Sequence, residues 1–133
     1  FDLSLAKEQS EKNPVFYIQY AHARICAILR KTKTVDVGDQ QVKLLKHPSE
    51  LILIKHLIRL PEIVEDIAKD YQVQRLPQYA LDLATAFHQF YRDCKVLTED
   101  RSLSEARLAL IFTTKIVLKN TLFLMGISAP EKM

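Results

Sequence analysis

Glycine is nearly missing from this sequence: Gly38 and Gly126 are the two it has among 133 residues. Sandwiches and barrels need many tight turns, and phosphate-cradling loops need glycine where backbone meets ligand, so the scarcity argues against both. Cysteine is as scarce. Cys26 and Cys94 cannot make the disulfide framework of a small secreted domain, which points to a reducing, cytoplasmic setting. Both fall inside apolar patterns and read as packed rather than reactive. His22, His47, His56 and His88 are scattered, and no cysteine neighbours another at ligand spacing, so no metal is expected. P-loop, dinucleotide fingerprint and zinc-protease helix are all absent. No apolar run reaches the roughly twenty residues of a bilayer span; the best candidate is broken by Arg107, Lys115, Lys119 and Asn120. The opening FDLSLAKEQSEK has no apolar stretch behind a basic start, so it is not read as a signal peptide. Without an initiator methionine, the chain reads as a piece of something longer.

What is present suits one soluble domain: 48% apolar and 26% charged residues, with a formal charge of +3 whose distribution matters more than its sum. Residues 1–12 form a lead-in segment with room for one short helix. Asn13 as N-cap and Pro14 at the first helical position predict a helix from about Pro14 to Lys31. The polar stretch 32–46, with Gly38, reads as a loop with a short strand or hairpin at its middle. Pro48 opens a second helix, with Leu51, Ile54, Leu57 and Ile58 at helical spacing. Pro61 opens a third, with Ile63, Ile67 and Tyr71 as its buried stripe. Pro77 opens a fourth, with Leu81, Ala84, Phe87, Phe90 and Tyr91 facing inward. Asp82 and His88 fall on different faces of it and read as solvated. Ser102 and Glu105 stand at capping-box spacing before a fifth helix, which runs from about Leu103 to Met125 and stops at Gly126. The expected fold is all-α, a bundle of about five helices.

The helix NPVFYIQYAHARICAILRK, residues 13–31, stands apart. Tyr17, Tyr20 and Arg24 are three and four residues apart and share one face; Gln19 and His22 share an adjacent one. Residues 17–33 carry Arg24, Arg30, Lys31 and Lys33 with no Asp or Glu. Two readings fit. Tyrosines pack with rings inward and hydroxyls at the edge, and cations at a helix C-terminus meet the negative end of its dipole. Alternatively, tyrosine rings stack on unpaired bases, arginine grips phosphate or a base edge, and Gln and His read edges. Spacing alone does not separate them.

NPVFYIQYAHARI resembles the signature that opens the anticodon-binding (DALR) domain of arginyl-tRNA synthetases. SEARLALIFTTKIVLKNTLFLMGISAPEKM resembles that family's closing helix and tail. HPSELILIKHLIRLPEIVEDIA and FDLSLAKEQSEKNPV resemble its middle helices and its passage out of the catalytic domain. The resemblance implies a fold of the class I synthetase anticodon-binding type over residues 13–133, and binding to the anticodon loop of an arginine tRNA. Tyr17 and Tyr20 would pack on loop nucleotides and Arg24 would touch the loop backbone or a base. Met133 would close a pocket for the middle base. Gln19 and His22 would fix the helix against the tail and the catalytic domain, with Arg30 and Lys31 as secondary contacts. The stretch Glu105-Ala106-Arg107-Leu108 stands where the domain's name expects an aspartate, and Arg107 is expected to pair with an acid. The ATP-binding motifs of the family's catalytic half are absent. The resemblance therefore implies no cofactor for this domain, with ATP and magnesium used only in the full-length enzyme. The expected partners are the arginine tRNA and the chain's own catalytic domain, in a monomer. The rivals are a helical protein-interaction module and an enzyme whose site assembles only in three dimensions.

Overall fold

The computed structural model describes residues 1–32 and 39–133. Among these, five longer helices and two short ones occur and no strand. They are α1 (Leu3–Lys7), α2 (Pro14–Arg30), α3 (Asp39–Val42), α4 (Pro48–Leu57), α5 (Leu60–Asp70), α6 (Arg75–Asp93) and α7 (Arg101–Leu124). The short lead-in helix and the five long ones match expectation. The hairpin expected within 32–46, and Gly38, lie outside the described residues.

α6 lies at the centre, packed against α2, α4, α5 and α7. Its sequence explains why. Leu76, Tyr79, Ala80, Leu83, Ala84, Ala86, Phe87 and Phe90 are buried, a stripe wide enough for several neighbours, with alanines where helices approach closely. The Tyr79 hydroxyl satisfies itself on the His56 carbonyl at 2.8 Å, and burial pushes its pKa up to about 12. Phe87, Phe90, Ile25, Leu53, Leu83, Ile111, Leu118 and Leu122 are fully buried. At about 1.5–3 kcal/mol per large apolar side chain, such burial is the main force holding the bundle.

The phase of α4 differs from the expected stripe. Leu53 and Leu57 are buried, whereas Leu51 and Ile58 are exposed. The run Leu51-Ile52-Leu53-Ile54 lets several phases fit helical spacing, and a polar residue chooses between them. Glu50 is buried, on the same face as Leu53 and Leu57. One of its carboxylate oxygens accepts the His47 N–H at 2.8 Å, while the His47 imidazole accepts the Ser49 N–H at 3.1 Å. The other accepts Arg107 Nε at 2.6 Å, and Arg107 Nη1 donates to the Lys95 carbonyl at 2.7 Å. Arg107 thus pairs with an acid, as expected, and ties α4, α7 and the turn before α7 together.

Three further expectations are corrected. Tyr71 does not continue the stripe of α5: it caps the helix at φ 59°, donates its N–H to the Ile67 carbonyl and points to solvent. Tyr91 is exposed rather than inward, with its ring beneath the Arg24 guanidinium. The capping box at Ser102 does not form. Asp100 caps α7 by accepting the Leu103 N–H at 3.1 Å, an ionised acceptor being stronger than a hydroxyl, and Glu105 instead accepts from Arg101 and Gln41. At the other end Gly126 behaves as expected. Its φ of +70° lets the Ile127 N–H reach the Leu122 carbonyl and its own N–H reach Phe123, which turns the tail back over the bundle.

Candidate nucleic-acid interface

α2 starts where its sequence says. Asn13 Oδ1 accepts the Val15 N–H at 3.0 Å, and its Nδ2 donates to the Ala6 and Glu8 carbonyls, which straps the lead-in segment to the helix start. Ile18, Ala21, Ile25 and Cys26 face the core, with Ile28 and Leu29 packed at its margin. At about 100° per residue, Tyr17 and Arg24 then lie within about 20° of each other, with Tyr20 and Phe16 next to them and Gln19 and Arg30 beyond.

The Gln19 side of α2 is tied to the tail. Gln19 Nε2 donates to the Ser128 carbonyl at 2.9 Å, His22 Nδ1 to the Pro130 carbonyl at 2.9 Å, and Arg30 Nη1 to the Glu131 carbonyl at 3.0 Å. A carbonyl can only accept, so His22 carries its proton on Nδ1. Burial lowers the His22 pKa, against the raising effect of the Pro130 carbonyl, and Lys115 and Lys119 lower it further. Cys26 Sγ lies 3.8 Å from the same nitrogen, and burial raises its pKa; it is packed and unreactive, as is buried Cys94. The fixing of helix against tail expected of Gln19 and His22 is present, and Arg30 shares in it.

The Tyr17 side is built differently. The Arg24 guanidinium lies 4.7 Å from the centroids of both Tyr20 and Tyr91. Its Nη2 donates to the Tyr20 hydroxyl at 3.0 Å and its Nη1 reaches His88 Nδ1 at 3.5 Å. No carboxylate pairs with Arg24 among the described residues, and two of its five N–H groups are engaged. His88 is not on a solvated face. Its ring lies 4.7 Å from Tyr17 and 6.1 Å from Tyr20, and Tyr20 in turn stacks on Phe16 at 6.3 Å. Burial first, and Arg24 second, lower the His88 pKa, so His88 accepts from Arg24 as a neutral ring. Its Nε2 is buried with no hydrogen-bond partner among the described residues.

Tyr17, Tyr20 and Arg24 are therefore brought together. Met133 does not line their pocket: it lines a cleft with Phe16, Gln19 and Lys7, and Phe16 of that cleft stacks on Tyr20. Lys31 is exposed at the end of α2. The helix-14–31 reading missed what α6 adds, namely His88 and Tyr91. A period-based reading assigned one to solvent and the other to the core. The available signal was the interleaving of aromatic and basic residues in FHQFYRDCK. No group of three or more His, Cys, Asp or Glu that could hold a metal ion occurs among the described residues, and no helix there is long and apolar enough to cross a membrane.

The bundle is that of an all-helical synthetase anticodon-binding domain. It superposes on the Thermus thermophilus arginyl-tRNA synthetase with a TM-score of 0.85 at 33% identity, over 100% of this chain and 23% of that one. For the Plasmodium falciparum arginyl-tRNA synthetase the TM-score is 0.80 at 33% identity, over 96% and 22%. The model of the DALR anticodon binding domain matches residues 18–133, and the chain belongs to this family. Along its whole length it is 48% identical to parts of the arginine–tRNA ligases of Dehalococcoides mccartyi strain BAV1 and of Salinibacter ruber, covering 24% of each. The chain thus spans about a quarter of the length of these relatives.

Proposed function

We propose that this chain binds the anticodon stem-loop of an arginine tRNA, as the anticodon-binding part of an arginine–tRNA ligase. The observation that carries the reading is Arg24. Its guanidinium is held between two tyrosine rings, beside a neutral histidine, with donors to spare; Glu11 lines the same pocket, but no carboxylate among the described residues is in ion-pair contact with it. An anticodon loop offers what such a group lacks: phosphate oxygens, and splayed bases with acceptor edges. Tyr17, Tyr20 and Tyr91 supply flat faces beside it, and a stacked base is worth about 1–3 kcal/mol. Gln19, His22 and Arg30 act one step back by fixing the tail, so that Met133 borders the neighbouring cleft on the Phe16 side.

The work of the domain is recognition. Binding energy from the loop positions the distant acceptor end on a catalytic domain, and ATP, magnesium and bond-making belong to that part of the longer relatives' length. The domain itself uses no cofactor, acts in the cytoplasm and sits in a monomer. Alone it lacks the second anchor, so its affinity is about micromolar or weaker, equivalent to about 8 kcal/mol or less. The test is a titration of the chain with an arginine anticodon stem-loop and with the same stem-loop altered at its middle base. Weaker binding of the altered loop is expected. Equal affinity for both refutes base-specific reading, and no binding at any salt concentration favours a protein-interaction role.

A further inference from the structure

A second groove adjoins the tyrosine cluster. It runs between the last turns of α2, the end of α6 and the turn that follows, and is lined by Arg24, Lys31, Arg92 and Lys95 with Tyr91 and Leu97. Cations at a helix C-terminus have an ordinary explanation, since they meet the negative end of the dipole, and that accounts for Lys31 and Arg92 one at a time. It does not account for two helix ends, distant in sequence, delivering their cations to one groove together with Lys95 from a turn. Four cations there outweigh Asp93 and the partial negative charge, about half a unit, at each helix end. Asp93 is the carboxylate paired with Arg92, at 2.9 Å, and it is drawn off by the Ser49 hydroxyl at 2.6 Å. Lys31 and Lys95 have no ion-pair partner among the described residues. The groove is also continuous with the first surface, because Arg24 and Arg92 line both.

We propose that Lys31, Arg92 and Lys95 form a phosphate track that carries the single-stranded backbone leading away from the bases held at Tyr17, Tyr20 and Arg24. The track rests on the anticodon-loop reading and adds a division of labour to it. The tyrosine cluster selects, while the track supplies affinity indifferent to sequence. Its side chains are exposed, so each can be neutralised without touching the core.

The test is a salt series. Affinity of the 133-residue chain for the stem-loop is measured between 50 and 200 mM salt for the unaltered chain and for Lys31→Gln, Arg92→Gln and Lys95→Gln. Lys69→Gln serves as the control for net charge. Lys69 lies in the last turn of α5, beside the Arg75 end of α6, about 27 Å along that helix from the groove. Each lost phosphate contact lowers the slope of log affinity against log salt by about 0.7, so the fold-loss across that range shrinks roughly two- to threefold per substitution. Preference for the correct middle base stays the same. Slopes equal to that of Lys69→Gln, with the unaltered chain binding normally, overturn the track alone. Lost base preference in the track variants also overturns the division of labour. Failure of the unaltered chain to bind overturns the anticodon reading and the track with it.

Discussion

Arg107 and Arg24 are two arginines of one small domain in opposite circumstances. Arg107 is nearly buried, its Nε meets a carboxylate on a fully buried Glu50, and Nη1 meets a carbonyl. That guanidinium has its charge neutralised inside the fold. Arg24 is half-buried, flanked by rings and a neutral imidazole, and in ion-pair contact with no carboxylate among the described residues. The first arrangement closes a structure; the second leaves charge and directed donors facing outward. The short stretch that resembles the family's name-giving motif therefore belongs to the architecture, while the proposed receptor is on α2 and α6.

The largest expected effect probes the closed arginine. Arg107→Ala leaves Glu50 as a buried unpaired charge, and about 3–5 kcal/mol of stability should be lost, measured by chemical denaturation. Stability close to that of the unaltered chain would show that Glu50 finds water or another partner and that the two arginines differ less than their surroundings suggest. Next comes the open one's neighbour. Tyr17→Leu keeps apolar volume against the core but removes a ring, so stem-loop binding should weaken by about 1–3 kcal/mol while the melting temperature changes little. Parallel losses in both measurements would make Tyr17 a packing residue after all.

Acid should tell the two regions apart through histidine. His22 and His88 both have folded-state pKa values below the ordinary 6.5. The unfolded chain therefore takes up protons first, and stability present in full above pH 6.5 is lost as pH falls toward the folded values. Asp93, whose pKa is lowered mainly by the Ser49 hydroxyl, adds its own loss only near or below its ordinary 3.8. Denaturation at pH 7.5 and 5.5 should show a loss that His88→Gln reduces; an unchanged loss would assign it to His22 alone. The smallest effect is Gly126→Ala. No atom lies within 4 Å of the added methyl, so the cost is that of φ +70° alone, about 1 kcal/mol in thermal unfolding. A larger loss would mean that the tail held by Gln19, His22 and Arg30 depends on this turn more than its local geometry implies.

Much of this was legible in the sequence wherever a local rule set the outcome. Asn13-Pro14, Pro48, Pro61 and Gly126 marked helix ends, because caps and prolines act within a turn of themselves. Local rules failed where a distant partner decided. Leu51 and Leu53 are alike to a periodicity argument, and it took Glu50, held by Arg107 57 residues away, to choose which one faces inward. Before α7 the expected Ser102 cap gave way to Asp100, which accepts the Leu103 N–H. The site follows the same pattern. Tyr17, Tyr20 and Arg24 share a helix and could be grouped by spacing. His88, 64 residues from Arg24, could not, and neither could Tyr91. Their part in the cluster follows from the packing of α2 on α6, which no local pattern encodes.

The most direct test of Arg24 as the receptor's centre is one paired titration. A labelled arginine anticodon stem-loop is titrated with the unaltered chain and with Arg24→Ala at the same low salt, alongside their melting curves. Loss of the guanidinium should weaken binding at least about tenfold, roughly 1.4 kcal/mol, with the melting temperature held to within a few degrees. Equal affinities, or a loss of affinity no larger than the loss of stability, would contradict the account.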